Sequence, residues 1–363
     1  MRASSLGRCP TVAVVLLLAT ATTMAAAAAR TKNECHPDDK AALLAIKAGF
    51  GNASYFQSWT SDYPCCIWIN VFCDPYTSPY TARRVVGVSF LRDTSLVGPL
   101  PGAAIARLTA LQELDLIHVP GVNGTIPHEL ARLSATLNSI DISYTGISGP
   151  VPSFFSQLKK LTYLRLSFNS LTGHIPASLG EIPNLSFLDL GRNRLTGTIP
   201  PRLLSKTNDT SYLCLSHNNL TGGIPAEFAA VRFWTLDLSH NALTGDASFL
   251  FGANKSLENL DLSRNTFSFS LSAVTLPSKL GSLDLNHNGI YGELPPQVAN
   301  LQYLNVSYNW LSGTVPTGGN MGRFDQYCFQ HTMVCVGVHY LHAISDRPLY
   351  PPAPDPAVNL DDY

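Results

Sequence analysis

Six aspartates recur along the chain at one point of a repeated pattern, between two apolar residues that are two positions apart. They are Asp115, Asp141, Asp189, Asp237, Asp261 and Asp284, and Arg165 takes the equivalent position between Asp141 and Asp189. Neighbouring strands lie about 4.7–4.9 Å apart, so Asp237, Asp261 and Asp284 are expected to form a close row of carboxylates. Such a row repels itself, and a cationic partner relieves the repulsion. The pattern predicts a binding surface for a partner with basic residues, although aspartate also suits this position simply because it is soluble.

Aromatic and histidine side chains accompany the same pattern. Trp234 precedes Leu236 by two residues and Phe168 follows Leu166 by two, so both are expected on the inner face of the strands or at its edge. Exposed aromatics there anchor protein partners, whereas Trp234 has the alternative of packing on its neighbours. The recurring histidines are His118, His217, His240 and His287. These histidines could form a metal site or a pH sensor, but we interpret them as variation within the repeat.

The sequence gives no sign of catalysis. Its serines, histidines and aspartates recur at repeat positions instead of forming one converging set. The sequence contains no G-x-S-x-G elbow, no H-E-x-x-H pair and no phosphate-binding loop. Charged residues make up 13% of the chain and the net charge is -1, which excludes a basic surface for nucleic acid. We predict a protein that is not an enzyme and that uses neither a cofactor nor a metal.

The pattern belongs to a repeat of about 24 residues, best seen at residues 164–176, LRLSFNSLTGHIP. Alternation of apolar and outward residues predicts a short strand with one buried face. The asparagine that follows is expected to bond backbone groups in the turn, and L-T-G-x-I-P suits a tight return. Ten such units predict leucine-rich repeats stacked in a solenoid. The second apolar residue of each pair falls at Val88, Leu116, Ile142, Leu166, Leu190, Leu215, Leu238, Leu262, Leu285 and Val306.

The N-terminal segment predicts secretion. Residues 1–29 carry Arg2 and Arg8, then an apolar run, then small residues, as in a secretory signal peptide. A membrane anchor is the alternative, but no later apolar run is long enough to span a bilayer. Seven N-x-S/T sequons fit a secreted chain, and we expect some of them to carry glycans. They are Asn52, Asn123, Asn184, Asn208, Asn219, Asn254 and Asn305.

Four cysteines precede the first repeat and predict a disulfide-stapled cap that covers the open end of the solenoid. They are Cys35, Cys65, Cys66 and Cys73, for which three pairings are possible. A zinc site is the competing interpretation, and secretion makes it improbable. Residues 38–48, DDKAALLAIKA, predict an amphipathic helix with Asp38 or Asp39 serving its first turn.

The cap sequences ECHPDDKAALLAIKAGF and CCIWINVFCD, followed by L-x-x-N-x-L-T-G-x-I-P repeats, resemble plant extracellular leucine-rich-repeat proteins. The later stretches LDLSHNALTGDASFLFG, LDLNHNGIYGELP and LNVSYNWLSGTVPTGGN resemble polygalacturonase-inhibiting proteins, over about residues 34–330. The resemblance implies an α/β solenoid, a right-handed superhelix of about ten repeats with a parallel concave β-sheet. It also implies that the concave face docks on fungal endo-polygalacturonases. The resemblance implies acidic contact residues at three matching positions. This chain has an acid at one of them, Asp237, but not at Arg165 or Gly191.

The C-terminal end departs from that family, whose members end with four cysteines. Here only Cys328 and Cys335 remain, and they are expected to pair across a short loop; Cys214, on the exposed face, is expected to keep its thiol. The proline-rich end predicts disorder. The expected organisation is a signal peptide over 1–29, a cysteine-rich cap over 30–81, repeats over 82–318, an atypical cap over 319–346 and a disordered tail over 347–363.

The function expected from this resemblance is a secreted, monomeric inhibitor of fungal endo-polygalacturonases in the plant cell wall. The candidate contact residues are Asp141, Arg165, Asp189, Trp234, Asp237, Asp261 and Asp284. The alternative is an extracellular binding module that recognises a peptide, a receptor ectodomain or a cell-wall component without inhibiting an enzyme. Pectin itself is a poor principal ligand for an acidic face because both surfaces are negative.

Overall fold

The structure, a computed structural model, describes residues 35–75 and 82–332. The chain divides into two compact units after Leu220, and each is described by itself below. The expected signal peptide over 1–29 and tail over 347–363 lie outside the described residues, as does Cys335.

The first unit consists of short strands that alternate with turns and short helices. The strands are β1 (Val71–Cys73), β2 (Val85–Leu91), β3 (Gly98–Pro99), β4 (Glu113–Gly124), β5 (Ser139–Pro150), β6 (Tyr163–Arg165), β7 (Ser170–His174), β8 (Phe187–Asp189), β9 (Arg194–Gly197), β10 (Ser211–Cys214) and β11 (Asn219–Gly222). The α-helices are α1 (Pro37–Gly49) and α2 (Gly102–Ile105). Shorter 3₁₀ helices span Ser54–Phe56, Cys65–Ile67, His128–Leu133, Ser153–Gln157 and Ala177–Glu181.

Two parallel sheets organise this unit. In the first sheet, β2, β4, β5, β6, β8 and β10 pair in that order, and β1 adds to β2 antiparallel. The second sheet forms where β5 continues beside β7, followed by β9 and β11. The paired leucines of the repeat are fully buried between the sheets, as at Leu164 and Leu188. The predicted leucine-rich-repeat fold with a parallel sheet is confirmed.

The proline of each I-P step starts the return segment. Pro127, Pro152 and Pro176 each stand immediately before a 3₁₀ helix, in extended backbone geometry. Proline has no N–H to leave unpaired and already holds the φ angle that a helix start requires. Gly173, three residues before Pro176, has a φ of 78°, a left-handed conformation that glycine adopts without strain.

The asparagine of each repeat satisfies the turn and joins neighbouring coils. The amide nitrogen of Asn193 donates to the carbonyl oxygens of Leu166, Leu190 and Gly191 at 2.9, 3.0 and 3.2 Å. Its amide oxygen accepts from the backbone N–H of Leu171 at 2.9 Å. A buried backbone group without a partner is costly, so this one side chain stabilises two adjacent coils.

The N-terminal cap is held by two disulfides and one buried ion pair. Cys35 pairs with Cys65, and Cys66 pairs with Cys73. The residue that caps α1 is His36, whose Nδ1 accepts from the Asp38 N–H, and Asp38 and Asp39 lie in the first turn of the helix, as the sequence predicted.

Asp39 is fully buried, and beyond its place in the first turn of α1 it binds Arg84. Its carboxylate accepts from Arg84 Nε and Nη2 at 2.9 and 2.8 Å, and from the backbone N–H of Val85 at 2.9 Å. This bidentate pair fixes α1 to the first strand of the repeats.

The second unit repeats the same plan. Its strands are β12 (Phe233–Asp237), β13 (Ala242–Gly245), β14 (Asn259–Asp261), β15 (Thr266–Phe267), β16 (Ser282–Asp284), β17 (Tyr291–Glu293), β18 (Tyr303–Asn305) and β19 (Trp310–Ser312). Here β12, β14, β16 and β18 pair in parallel, while β13 pairs with β15 and β17 with β19. Its 3₁₀ helices span Ala226–Ala230, Ser248–Leu250, Pro296–Asn300, Met321–Arg323 and Gln326–Phe329.

The end of the second unit continues the repeat in a shortened coil. Val306 N–H donates to the Cys328 carbonyl at 3.0 Å, and Tyr308 N–H donates to the Gln330 carbonyl at 2.9 Å. These bonds repeat those that link the preceding coils, so Cys328 takes the position next to Asn305. Cys328 is a thiol in the structure; its expected partner Cys335 lies outside the described residues, and their pairing stays a prediction.

Candidate functional site

The candidate binding surface is the outward side of the first sheet, at the residues between the paired leucines; we call it the strand face. In the first unit these residues are Ser89, Asp115, Asp141, Arg165, Asp189 and Cys214. In the second unit they are Asp237, Asp261, Asp284 and Asn305.

The first coil corrects the repeat alignment made from the sequence. Ser89 pairs with Asp115 and Phe90 with Leu116, so the buried anchor of this coil is Phe90 and not Val88. The outward residue of this coil is therefore Ser89, and not Gly87 as the placement of the anchor at Val88 implied; the Phe72 side chain lies against Gly87.

In the first unit a basic side chain lies between two acids. Arg165 Nε is 3.1 Å from Asp189 Oδ2, and Arg165 Nη1 is 3.8 Å from Asp141 Oδ2. Both aspartates are buried, and each also accepts from its own coil: Asp141 from Ser143 Oγ at 2.5 Å and Asp189 from the Gly191 N–H at 3.0 Å. Burial raises the pKa of Asp141, while the Ser143 bond and the Arg165 charge oppose that rise. Arg165 therefore offsets part of the negative charge of the predicted acidic stripe here.

In the second unit, three adjacent strands each carry an aspartate at the equivalent position. Asp237 pairs in register with Asp261, and Asp261 with Asp284, which gives the carboxylate row expected from the repeat. Burial raises the pKa of Asp261 to about 6, and the charges of Asp237 and Asp284 add to the rise. Tyr303 donates to Asp284 Oδ2 at 2.9 Å, and burial, followed by this bond and the Asp284 charge, raises the pKa of Tyr303 to about 12. The second unit thus carries three aspartates in register on adjacent strands.

Exposed aromatic side chains belong to the same strand segment of the second unit. Trp234 in β12 is 37% exposed and Tyr303 in β18 is 48% exposed. Trp234 thus has the accessibility that a binding anchor needs, and its role as an anchor stays a prediction.

A second feature, the edge ladder, was only partly anticipated. It consists of the residue two positions after the second leucine of each coil, and every member has a left-handed backbone. Its members in the first unit are Arg92, His118, Tyr144, Phe168, Arg192 and His217, and in the second unit His240, Arg264, His287, Tyr308 and His331. The sequence drew attention to four of the histidines and to Phe168, but not to the arginines and tyrosines at the same spacing.

The rings of the edge ladder stack along the first unit. Ring centroids are 4.0 Å apart for His118 and Tyr144 and 3.8 Å apart for Tyr144 and Phe168, and the Arg192 guanidinium lies 5.1 Å from the Phe168 centroid. With Arg92 they line an open groove of about 740 Å³. Stacking and cation–π contacts offset the strain of the left-handed residues.

The remaining predicted sites are distributed over the surface. Among the seven sequon asparagines, all except Asn305 are exposed; Asn305 is partly buried, and its amide oxygen accepts from Ser307 N–H and Oγ at 3.2 and 2.8 Å. Cys214 is buried, contrary to the expected exposure, with Sγ 3.2 Å from Ser216 Oγ. Use of any sequon stays a prediction.

Across 35–75 and 82–332, no three histidine, cysteine, aspartate or glutamate side chains are grouped so that they could hold a metal ion. Within the same ranges, no helix has both the length and the apolar character needed to cross a bilayer.

Sequence comparisons agree with the two-sheet repeat structure and its cap. Residues 36–74 match the family described as leucine rich repeat N-terminal domain, and residues 135–195, 210–230, 279–301 and 300–319 match leucine rich repeat families. Polygalacturonase inhibitor 1 of Arabidopsis thaliana is 44% identical over 309 residues, which covers 85% of this chain and 92% of that protein. The polygalacturonase inhibitor of Pyrus communis is 46% identical over 305 residues, covering 84% and 90%.

The chain belongs to the polygalacturonase-inhibitor family of leucine-rich-repeat proteins. A solved structure described as a plant ice-binding protein is also similar, with 45% identity and a TM-score of 0.79 over 83% of this chain and 96% of that one.

Proposed function

We propose that the chain is a secreted protein inhibitor of fungal endo-polygalacturonases, acting through its strand face. The observation that supports this most strongly is the row Asp237, Asp261 and Asp284 on adjacent strands, in a chain whose relatives are named polygalacturonase inhibitors. Polygalacturonate is a polyanion, so an enzyme that binds it requires basic residues around its cleft. A carboxylate row is electrostatically complementary to that cleft.

Inhibition is steric in this proposal. The strand face covers the substrate cleft, so the inhibitor needs no nucleophile, metal or cofactor. Binding also removes the mutual repulsion of the three carboxylates, because each gains a cationic neighbour. The extracellular plant cell wall, where pectin is degraded, is the proposed site of action.

A charge reversal in the row tests the electrostatic part. Asp237→Lys places a cation beside Asp261, and we expect it to weaken binding to an inhibited polygalacturonase at least tenfold, mostly through the association rate. Asp246→Lys makes the same change of charge at an exposed position outside the strand face and is the control. Equal binding by the two variants would contradict the assignment of the row.

Ice binding is a second candidate function, favoured by the 45% identity with a plant ice-binding protein over 96% of its length. Thr172, Thr196 and Thr221 are exposed on β7, β9 and β11 of the second sheet, and Thr244 is exposed on β13. Their array is interrupted, since Thr196 pairs with Asn219, whereas Thr244 pairs with Thr266.

An ice recrystallisation assay tests this candidate. If the second sheet binds ice, the wild-type protein slows crystal growth and Thr244→Lys abolishes the effect, while Asp237→Lys leaves it intact. Crystal growth at the rate seen with an equal concentration of albumin would exclude the candidate.

A further inference from the structure

Two aromatic side chains stand side by side on the last pair of strands in the second unit. Tyr291 of β17 and Trp310 of β19 are in register, and each is 49% exposed. Because in-register residues of neighbouring strands point to the same side of a sheet, the two rings present one surface to solvent, about 4.7–4.9 Å apart at the backbone. We call them the terminal aromatic pair.

The preceding coils carry small or polar partners at the same repeat position. Thr172 pairs with Arg194, Thr196 with Asn219, Thr221 with Ala242 and Thr244 with Thr266. These pairs suit a solvated strand surface, whereas two half-exposed rings leave apolar area in water that a contact would bury. The terminal aromatic pair is therefore a departure from the regular exterior of the repeat.

A carboxylate accompanies the two rings. Glu293 is exposed, lies two residues beyond Tyr291 on β17 and pairs in register with Ser312 of β19. Two strand residues span about 6.8 Å, so a ligand that covers the rings and carries a cation at one end can bring that cation to Glu293. The surface thus suits a rigid, apolar segment with one basic residue.

The chain itself contains a segment of that chemistry. Residues 347–354 read RPLYPPAP, in which Pro348, Pro351 and Pro354 recur at intervals of three. A polyproline II helix has three residues per turn, so these prolines share one face at steps of about 9 Å, and Arg347 stands at its beginning. Proline-rich segments of this kind dock on aromatic surfaces, because their conformation costs little entropy to fix.

The end of the described chain lies close to the terminal aromatic pair. His331 stacks on Tyr308 with ring centroids 4.4 Å apart, and both residues have a left-handed backbone, so Thr332 follows His331 as Asn309 follows Tyr308. Asn309 immediately precedes Trp310. Residues 333–346 separate this end from the proline-rich segment, and a chain of that length reaches up to about 50 Å.

We propose that residues 347–354 dock on the terminal aromatic pair of their own chain, with prolines on the two rings and Arg347 on Glu293. The covalent link favours this occupant over a separate protein, because it holds the segment at an effective concentration on the order of millimolar. A segment without a core of its own gains order through such a contact. The acidic residues of the tail all follow the prolines, on the side away from Arg347; they are Asp355, Asp361 and Asp362.

Photochemical crosslinking tests the contact in the full chain. With p-benzoylphenylalanine at Leu349 or Tyr350, light is expected to join the tail to peptides that contain Tyr291 or Trp310, identified by mass spectrometry. Tyr291→Thr, which introduces the threonine of the other coils, should lower that yield at least about fivefold. Tyr303→Thr removes a ring of similar exposure, 48%, from the strand face and should leave the yield within about twofold.

An exchange of charges tests the ionic contact. Glu293→Arg and Arg347→Glu should each lower the crosslinking yield about threefold or more, because each places like charges together. The double variant should recover the wild-type yield, since it forms the pair with opposite polarity. A double variant with a yield no higher than that of the single variants would overturn the pairing of Arg347 with Glu293.

Three results would overturn the docking itself. They are no crosslink to these strands from either probe position, equal yields for wild type and Tyr291→Thr, and crosslinks between copies in a mixture of ¹⁴N- and ¹⁵N-labelled protein. The last result would assign the segment to a second copy of the chain. Thermal unfolding verifies that each variant is folded, and Trp310→Thr replaces Tyr291→Thr if that variant does not fold.

Discussion

The side chain of Asn265 makes four hydrogen bonds to backbone groups of two coils. Its amide nitrogen donates to the carbonyls of Leu238, Leu262 and Ser263 at 3.0, 3.2 and 3.1 Å, and its oxygen accepts from the Leu243 N–H at 3.0 Å. The residue is 7% exposed, so water does not replace these partners if the amide is removed. The repeat allowed this role to be predicted, because the asparagine recurs at a fixed distance from the leucines.

Removing that amide should be strongly destabilising. We expect Asn265→Ala to lower the free energy of unfolding by about 3 kcal/mol or more, since several buried backbone groups lose their partners. Asn259→Ala, in the same coil but at an exposed position, should change it by less than about 1 kcal/mol. Urea unfolding followed by circular dichroism measures both. Equal losses for the two variants would show that the asparagine ladder does not carry the stability assigned to it.

Asp261 makes stability depend on pH in an unusual direction. Its pKa is raised to about 6 in the folded protein, mainly by burial, against about 3.9 in an unfolded chain. The folded state therefore holds this proton more tightly, and the stability that the group contributes at low pH is lost as pH rises through about 6.

Asp261→Asn should remove that loss. Relative to wild type, the variant is expected to gain about 2 kcal/mol of unfolding free energy at about pH 7, and the gain should vanish near pH 4. The measurement is denaturant unfolding at both pH values, with the exposed Asp246→Asn as the control. A variant no more stable than wild type at neutral pH would contradict the raised pKa.

Among the structural elements, the N-terminal cap depends on covalent links. The Cys35–Cys65 disulfide closes a segment with a sequence separation of 30, and Cys66–Cys73 one of 7. A longer closed segment restricts the unfolded chain more. The chain-entropy relation therefore gives a stabilisation of about 3.6 kcal/mol for Cys35–Cys65 and about 2.4 kcal/mol for Cys66–Cys73. The sequence predicted a stapled cap, but not the pairing, because pairing depends on which cysteines the folded cap brings together.

The two disulfides should therefore differ in their effect on stability. Replacing Cys35 and Cys65 together by serine is expected to lower the unfolding free energy more than the same replacement of Cys66 and Cys73, by about 1 kcal/mol. Unfolding followed by the fluorescence of the buried Trp59 and Trp68 reports on this region. A larger loss from the shorter link would show that native contacts, not chain entropy, determine the difference.

At the scale of the whole chain, the features that the sequence predicted are those that recur in every coil. Strand positions, buried leucines and the asparagine ladder follow from a period of about 24 residues, because each coil packs only on its neighbours. The first coil was misaligned because pairing of β2 with β4, and not the spacing of apolar residues, sets its register. The ion pairs of Arg165 with Asp141 and Asp189 were also missed, since they depend on side-chain directions across strands.

Inhibition of a fungal endo-polygalacturonase is measured through the hydrolysis of polygalacturonate. A panel of fungal endo-polygalacturonases would be assayed for release of reducing ends with and without the purified, glycosylated mature protein. We predict that at least one enzyme is inhibited in a saturable, dose-dependent manner, and that Asp237→Lys shifts this inhibition to higher concentrations. Undiminished hydrolysis by every member of the panel, with a sample verified as folded, would contradict the proposed function.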